Sequence, residues 1–359
     1  MVRSARNNQF DFMSAVGILF VIFGHYYQPP YLFYPAYAFH MALFFFISGY
    51  FFKCTWSING KANIIRKKFR KQVIPYFILN FVFGVISVGL SKFGLELGGR
   101  LIWQNFLVTP FGRGDQYFLY QASWFLLTLF FVNSVAAVLY CGKKGIDICV
   151  AALSAVLLWI GIKYWVQPVD EGYRWVFINF SVRVIIGFFF FSAGYLLHIF
   201  EKEVQRFLIS PLALFIAFIS VDIVNANFAD LPYNILFSDL GQSNDQFAHV
   251  ITTFCIIEIV YWISYYAVRV LKDNSFVYKV GQNTFSIMIW HFTMFWMINV
   301  VLYCFGIIGF KDLSDVYYKW YPEKTWLLYT AAGLLGPMGL SYLYKRVSTF
   351  LKMKIKKYL

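Results

Sequence analysis

The sequence predicts an all-α, polytopic transmembrane helix bundle with about ten spans and both termini in the cytoplasm. Apolar residues make up 60% of the chain and charged residues only 13%, whereas about a quarter of the residues in a soluble domain are charged. Apolar runs of about 20 residues, the length that crosses a bilayer, recur along the chain. The Lys and Arg residues cluster between alternate runs, as they do in membrane proteins.

The ten predicted spans follow one another without a long linker. They lie at 11–30, 35–52, 73–92, 121–140, 146–165, 175–198, 208–224, 248–268, 281–308 and 325–344. No low-complexity or soluble extension is expected after the tenth span. We therefore expect one integral membrane domain over residues 1–359 and no separate soluble domain, so any chemistry takes place within the bundle or at its rims.

Positive charge sets the predicted orientation. With the N-terminus in the cytoplasm, 22 of the 31 Lys and Arg residues fall on the cytoplasmic side. The positive-inside rule then places both termini there. The net charge of +14 follows from this placement, and we expect membrane lipids rather than nucleic acid around the protein.

Several function classes are not expected from the motifs. The five cysteines are scattered, without a CxxC pair, and are typical of packing residues, so neither a disulfide nor a metal site is predicted. The sequence contains no Walker loop, GxSxG elbow or HExxH motif. ATP hydrolysis and triad hydrolysis are therefore not predicted.

Polar residues interrupt the first apolar run. Asp11 stands at its mouth, and Ser14 and His25 are eleven residues apart, which is about three helical turns and places them on one face. An ionisable side chain at this depth costs several kcal/mol unless it meets a polar cavity or a partner. His25 is thus a candidate functional residue, and the alternative is a neutral His that hydrogen-bonds a neighbouring helix.

Four other spans each carry an ionisable residue in the middle or outer membrane. These residues are His40, Arg183, Glu258 and His291. Together with His25 they would stabilise one another around a hydrated cavity. His25 has the pKa range of a general base, and Arg183 suits an oxyanion. The structural alternative is an Arg183–Glu258 ion pair that assembles the helices.

A basic cluster precedes the third span. Arg66, Lys68, Arg70 and Lys71 lead into Ile74-Pro75-Tyr76. Such a cluster beside a helix start is suited to the phosphates of a nucleotide-like cofactor. The alternative is a topogenic or lipid-binding role.

Two aromatic segments resemble each other. FFFISGY at 44–50 and FFFFSAGY at 188–195 lie on spans with the same predicted direction. A parallel repeat is one interpretation. The simpler one is close helix contact at the small residues.

Six stretches resemble the membrane-bound acyltransferase family 3, which includes O-acetyltransferases of bacterial surface polysaccharides such as O-antigen. They are DFMSAVGILFVIFGH at 11–25, FHMALFFFISGYFFK at 39–53, the basic run ending in IPY at 74–76, WFLLTLF at 124–130, FFFSAGYLL at 189–197 and GQNTFSIMIWH at 281–291. The resemblance covers nearly the whole chain in the family's order. It implies ten membrane helices and transfer of an acyl group, commonly acetyl from cytosolic acetyl-CoA, to a sugar hydroxyl.

The resemblance also implies roles for individual residues. His25 matches the family's essential His, Asp11 its opening acid, and His291 a recurring His. The family usually has Arg or Lys eleven residues before the first His, where this chain has Ser14. Donor charge is then expected from Arg70 or Lys71.

These arguments combine into one prediction of function. We expect an acetyl-CoA-dependent O-acyltransferase of the bacterial inner membrane that acts on surface polysaccharide or a lipid-linked sugar. No metal is expected, and a homodimer is compatible with this prediction. The predicted catalytic residues are His25, Asp11, Arg183, His291 and Glu258, the predicted donor-binding residues are Arg66, Lys68, Arg70 and Lys71, and the predicted substrate-binding residues are His40, Trp124 and Asn283. The alternatives are a polysaccharide or lipid-linked glycan exporter and a sensor or scaffold without catalysis.

Overall fold

The computed structural model describes residues 7–25, 39–112, 114–165, 173–227 and 246–358. Within these ranges the chain forms α helices, with short 3-10 and π-helical segments beside or between them, and one isolated antiparallel bridge joins Gly98 and Tyr117. The all-helical prediction is confirmed. The helices are α1 (Asn8–Gly24), α2 (His40–Tyr50), α3 (Ile58–Lys68), α4 (Ile74–Ser91), α5 (Trp103–Leu107), α6 (Trp124–Leu139), α7 (Lys144–Ile160), α8 (Tyr173–Leu208), α9 (Pro211–Asn227), α10 (Gln246–Val270), α11 (Phe276–Gln282), α12 (Thr284–Cys304) and α13 (Pro322–Tyr358).

Many of these helices are long and apolar enough to cross a bilayer. In the described part of the chain six meet this condition: Ile58–Ser91, Phe118–Leu139, Lys144–Lys163, Val176–Leu208, Phe247–Val270 and Thr284–Cys304. Helices α1, α2 and α9 are apolar but shorter. Each of the ten predicted spans overlaps a helix, whereas the count of ten spans and the orientation of the termini stay predictions.

Helix α1 lies at the centre of the bundle. It packs against α2, α10, α11, α12 and α13. Its buried positions occur on every side of the helix and include Phe10, Met13, Ile18 and Val21, as expected of a helix that is apolar all round. This position brings His25, the residue that follows α1, next to α12.

The two resembling aromatic segments pack against each other. Helices α2 and α8 meet where a Cβ on Gly49 would lie 1.9 Å from the Phe191 carbonyl oxygen. A Cβ on Gly194 would lie 1.9 Å from the Phe46 carbonyl oxygen. The contact is therefore reciprocal, and only glycine allows the two backbones to approach this closely.

Helices α3 and α4 form one long helix that is interrupted by a π-helical turn. The turn spans Phe69–Val73. An extra residue in a turn rotates the side chains that follow, which is why π turns occur often at functional sites. Here the turn carries Lys71 and Gln72.

Candidate active site

One cavity of about 490 Å³ lies beside α1 in the middle of the bundle. Its walls come from α1, α2, α6, α8 and α12, together with the π-helical turn and two connecting segments. Ile18, Val21 and His25 line it from α1, and their spacing of three and four residues places them on one helical face. The cavity therefore follows α1 for about 10 Å, from Ile18 to His25.

The two ends of the cavity differ in chemistry. The Lys71 end contains Lys71, Gln72 and Thr284, the first residue of α12. The His25 end contains His25, Asp115, Gln121 and Tyr317. The loop that carries Tyr317 contacts the chain just beyond α4, since the Glu96 amide donates to Ser314 Oγ at 3.2 Å. Lys71 precedes α4 and so lies toward the opposite end.

His25 occupies the residue after the last turn of α1. Its backbone amide donates to the Ile22 carbonyl at 3.2 Å. Its ring contacts Phe292 at 4.3 Å and His291 at 5.2 Å between centroids. The Tyr317 ring is 6.4 Å away. The imidazole is thus held among aromatic rings and lines the cavity.

His291 packs against the His25 ring and is not among the residues that line the cavity. It is fully buried, and its Nδ1 lies 2.9 Å from the Ile287 carbonyl oxygen. Because a carbonyl only accepts, this contact assigns the proton to Nδ1 in the neutral ring. Nε2 has no hydrogen-bond partner among the described residues. A buried nitrogen without a partner is costly, and this one belongs to the ring that stacks against His25.

Arg183 reaches the same cavity from α8. Only 1% of its surface is exposed. One guanidinium nitrogen donates to the Gly112 carbonyl, and the guanidinium lies 4.9 Å from the centroid of the Trp124 ring. His40, also buried, lines the cavity from the first residue of α2. The structure therefore brings together His25, His40, Trp124 and Arg183.

One basic residue of the π-helical turn lines the cavity. Lys71 lines it, whereas Arg66, Lys68 and Arg70 are not among its described lining residues. Gln72, 8% exposed, lines it beside Lys71, and its Oε1 has no partner in the described structure. The Lys71 end thus offers one positive charge and one unsatisfied buried acceptor.

Three further predicted site residues are also absent from the lining of this cavity. Asp11 accepts from Gln282 Nε2 at 2.8 Å, about 20 Å along α1 from His25. Asn283 joins α11 to α12 and donates to the Lys279 carbonyl at 2.7 Å, next to the cavity-lining Thr284. Glu258 lines a second cavity of about 530 Å³ formed by α2, α8, α9 and α10.

Sequence reasoning missed three residues at the His25 end. Asp115 and Gln121 precede α6, and Tyr317 lies in the loop after α12. Gln121 Nε2 donates to Tyr317 Oη at 2.7 Å. The pKa of the Tyr317 phenol is raised, chiefly by burial and also by the Asp315 and Asp115 charges, while the Gln121 hydrogen bond acts in the opposite direction. No spacing signal marks these residues, because Asp115 and Tyr317 lie outside the helices and Gln121 lies in the short 3-10 helical segment that leads into α6.

No cluster of three or more His, Cys, Asp or Glu residues with metal-site geometry occurs in the described ranges. The donors at the site are imidazole, guanidinium, ammonium and amide groups. This set is suited to binding anions and moving protons.

A comparison with protein families supplies the identity of the chain. The profile of the acyltransferase domain, acyltransferase 3, matches residues 7–346. The chain belongs to the acyltransferase 3 family. The suspected relationship is confirmed, and with the apolar helices it makes the protein a multi-pass membrane acyltransferase. Comparisons with curated proteins and with solved structures gave no match.

Proposed function

We propose that this acyltransferase moves an acetyl group from cytosolic acetyl-CoA to a hydroxyl of a surface polysaccharide or lipid-linked sugar, with His25 as general base. One observation carries the proposal: a single cavity is lined by Lys71 at one end and by His25 at the other. A charged donor and a neutral alcohol are then able to approach the same point from two ends.

The Lys71 end suits the donor. An ammonium group stabilises phosphate through charge-assisted hydrogen bonds. The orphan Oε1 of Gln72 is an acceptor for an amide N–H, a group present in the arm that links the thioester to the nucleotide. With the predicted orientation this end faces the cytoplasm, where acetyl-CoA is made. Arg66, Lys68 and Arg70 add positive charge along the approach.

The His25 end suits the transfer step. His25 takes the proton of the attacking hydroxyl as its oxygen bonds to the thioester carbonyl carbon. The positive charge of Arg183 stabilises the resulting oxyanion. Collapse breaks the carbon–sulfur bond, and His25 returns the proton to the departing sulfur. The products are the acetyl ester and free CoA, and no further reactant is required.

Glu258 and Asp11 have supporting roles in this proposal. Asp11 fixes the start of α1 against α11, where a Cβ on Gly281 would lie 1.8 Å from the Asp11 carbonyl oxygen. Glu258 faces a separate apolar cavity. Neither residue is required to touch the reacting atoms.

An acyl-enzyme route is the mechanistic alternative. In that route a His nitrogen attacks the thioester first and later passes the acetyl group to the hydroxyl. Purified protein incubated with acetyl-labelled acetyl-CoA and no acceptor separates the two. We expect no label on the protein, whereas trapped label would support the covalent route.

The experiment that tests the proposed function compares surface glycans. Cells with the gene, without it, and with His25→Gln are analysed by mass spectrometry for glycan amount and ester content. We expect unchanged glycan that lacks its acetyl esters in the last two strains. Loss of the glycan itself would support an exporter, and retained esters with His25→Gln would overturn the role of His25.

A further inference from the structure

The His25 end of the cavity has a polar rim that the transfer chemistry does not use. Tyr317, Gln121 and Asp115 form this rim. The Tyr317 ring lies 6.4 Å from the His25 ring, and 40% of the Tyr317 surface is exposed. An aromatic face is therefore available next to the general base.

Tyr317 is held in place by a hydrogen bond within its own loop and by two from other segments. Its backbone amide donates to Asp315 Oδ1 at 2.9 Å, and its carbonyl accepts from Asn299 Nδ2 at 2.9 Å. Its phenol accepts from Gln121 Nε2 at 2.7 Å. Asn299 is itself fixed because Asn299 Oδ1 accepts from Tyr329 Oη at 2.5 Å. A ring anchored this way is ordered before a ligand arrives, so binding costs less entropy.

The rim chemistry selects one kind of ligand. The negative face of an aromatic ring attracts the C–H groups of a saturated ring laid against it. The Asp115 carboxylate accepts hydrogen bonds, and the Tyr317 hydroxyl, which already accepts from Gln121, retains its own proton to donate. A ligand that uses all of these groups has a flat apolar face and several hydroxyls at its edge.

We propose that Tyr317, oriented by Gln121 and assisted by Asp115, is the platform that binds a sugar ring of the acceptor and aims one hydroxyl at His25. The proposal rests on the proposed function and adds the acceptor subsite to it. Tyr317 is a binding residue, and Gln121 is a positioning residue that acts through Tyr317. A simple alcohol lacks the ring, so the platform contributes nothing to its transfer.

The test is a selectivity ratio. Purified, reconstituted protein transfers labelled acetyl from acetyl-CoA either to a methyl hexopyranoside or to 1-propanol, and the ratio of the two kcat/KM values is measured. Tyr317→Ala should lower the ratio about tenfold, the usual cost of one lost stacking contact. Tyr317→Phe keeps the ring, and Gln121→Leu frees it, so each should lower the ratio about threefold by loss of one hydrogen bond.

Tyr303→Ala is the matched control. Tyr303 is also 40% exposed but packs edge-to-face against Phe310 outside the cavity, with ring centroids 5.7 Å apart. Its variant should keep the parent ratio. A twofold change corresponds to less free energy than a weak hydrogen bond contributes. A ratio for Tyr317→Ala within about twofold of the parent ratio therefore overturns the platform.

The same assay separates this proposal from the proposed function. Suppose that the parent transfers acetyl to both acceptors and that His25→Gln abolishes this transfer. An unchanged ratio of kcat/KM values in Tyr317→Ala then overturns the platform alone. Absence of transfer to either acceptor by the parent protein overturns both.

Discussion

The imidazole rings of His25 and His291 are stacked, with their centroids 5.2 Å apart and their planes inclined by 21°. One ring follows α1 and lines the cavity, and the other lies on α12 and is fully buried. The contact between Nδ1 of His291 and the Ile287 carbonyl fixes the inner ring. The His25 ring is therefore oriented by the His291 ring, which is itself held by a backbone carbonyl.

The first prediction concerns this pair. His291→Phe keeps a ring beside His25 but removes the orphan Nε2. Because His291 acts only through His25, we expect kcat to fall at least about tenfold, less than the roughly 10² to 10⁴ that a direct acid–base group contributes, while the KM values change little. Steady-state kinetics on reconstituted protein measure this. His198→Phe is the control, because His198 packs edge-to-face against Tyr50 away from the cavity. Parent kcat in His291→Phe would show that the stacked pair is only packing.

The second prediction concerns the donor end. Lys71→Ala removes the ammonium that lines the cavity, and we expect the KM for acetyl-CoA to rise at least tenfold, because hydrogen bonds to charged groups contribute about 1.5–3 kcal/mol. Lys202→Ala, on an exposed part of α8, should behave like the parent. An unchanged KM in Lys71→Ala would remove Lys71 from donor binding.

The third prediction concerns the reciprocal contact of α2 and α8. Gly49→Ala and Gly194→Ala each place a methyl group on a carbonyl oxygen, so we expect a lower melting temperature and a loss of at least about 2 kcal/mol in the free energy of unfolding. Differential scanning fluorimetry in detergent measures the shift. Gly89→Ala and Gly339→Ala, where nothing lies within 4 Å of the added Cβ, should match or slightly exceed the parent. Equal melting temperatures in all four variants would contradict the contact.

The fourth prediction concerns Asp147, a fully buried carboxylate at the start of α7. It accepts from the Cys141 amide at 2.9 Å, the Gly142 amide at 3.0 Å and the Tyr195 hydroxyl at 2.8 Å. Asp147→Ala leaves these donors buried without a partner, and we expect a destabilisation of about 3 kcal/mol.

Glu203→Ala provides the comparison for Asp147. Glu203 pairs with Lys144 at 3.5 Å, and both side chains are more than half exposed. Such a surface pair contributes little to stability, so the melting temperature of Glu203→Ala should stay near that of the parent. If Asp147→Ala lowers the melting temperature no more than Glu203→Ala does, the hydrogen bonds of Asp147 do not stabilise the fold as argued.

The helical fold was predictable because composition dictates it. A chain with 60% apolar residues must satisfy its backbone hydrogen bonds within helices when it enters a bilayer. The central position of α1 also follows from its apolar residues on every side. The π-helical turn at Phe69–Val73 was not predictable, because nothing in the local sequence marks the extra residue. Lys71, which lines the cavity, lies in that turn.

The site was predictable only in part. Depth along the membrane normal follows from sequence position, and it grouped His25, His40 and Arg183, which do line one cavity. The same depth argument included Glu258, which lines the other cavity. Sequence position gives the height of a residue but not the neighbour that its helix face meets. Tyr317 and Gln121 were missed because a residue in a loop or at the edge of a span acquires its neighbours only through tertiary packing.

The most direct measurement of the central claim is the initial rate of acetyl transfer by purified protein in lipid vesicles. Labelled acetyl-CoA and an acceptor sugar are supplied, and the parent is compared with His25→Gln, with melting temperatures taken to show that both are folded. The account predicts that His25→Gln lowers kcat at least about 100-fold, the smallest loss usual for a general base. A folded His25→Gln protein whose kcat stays within about tenfold of the parent would contradict it.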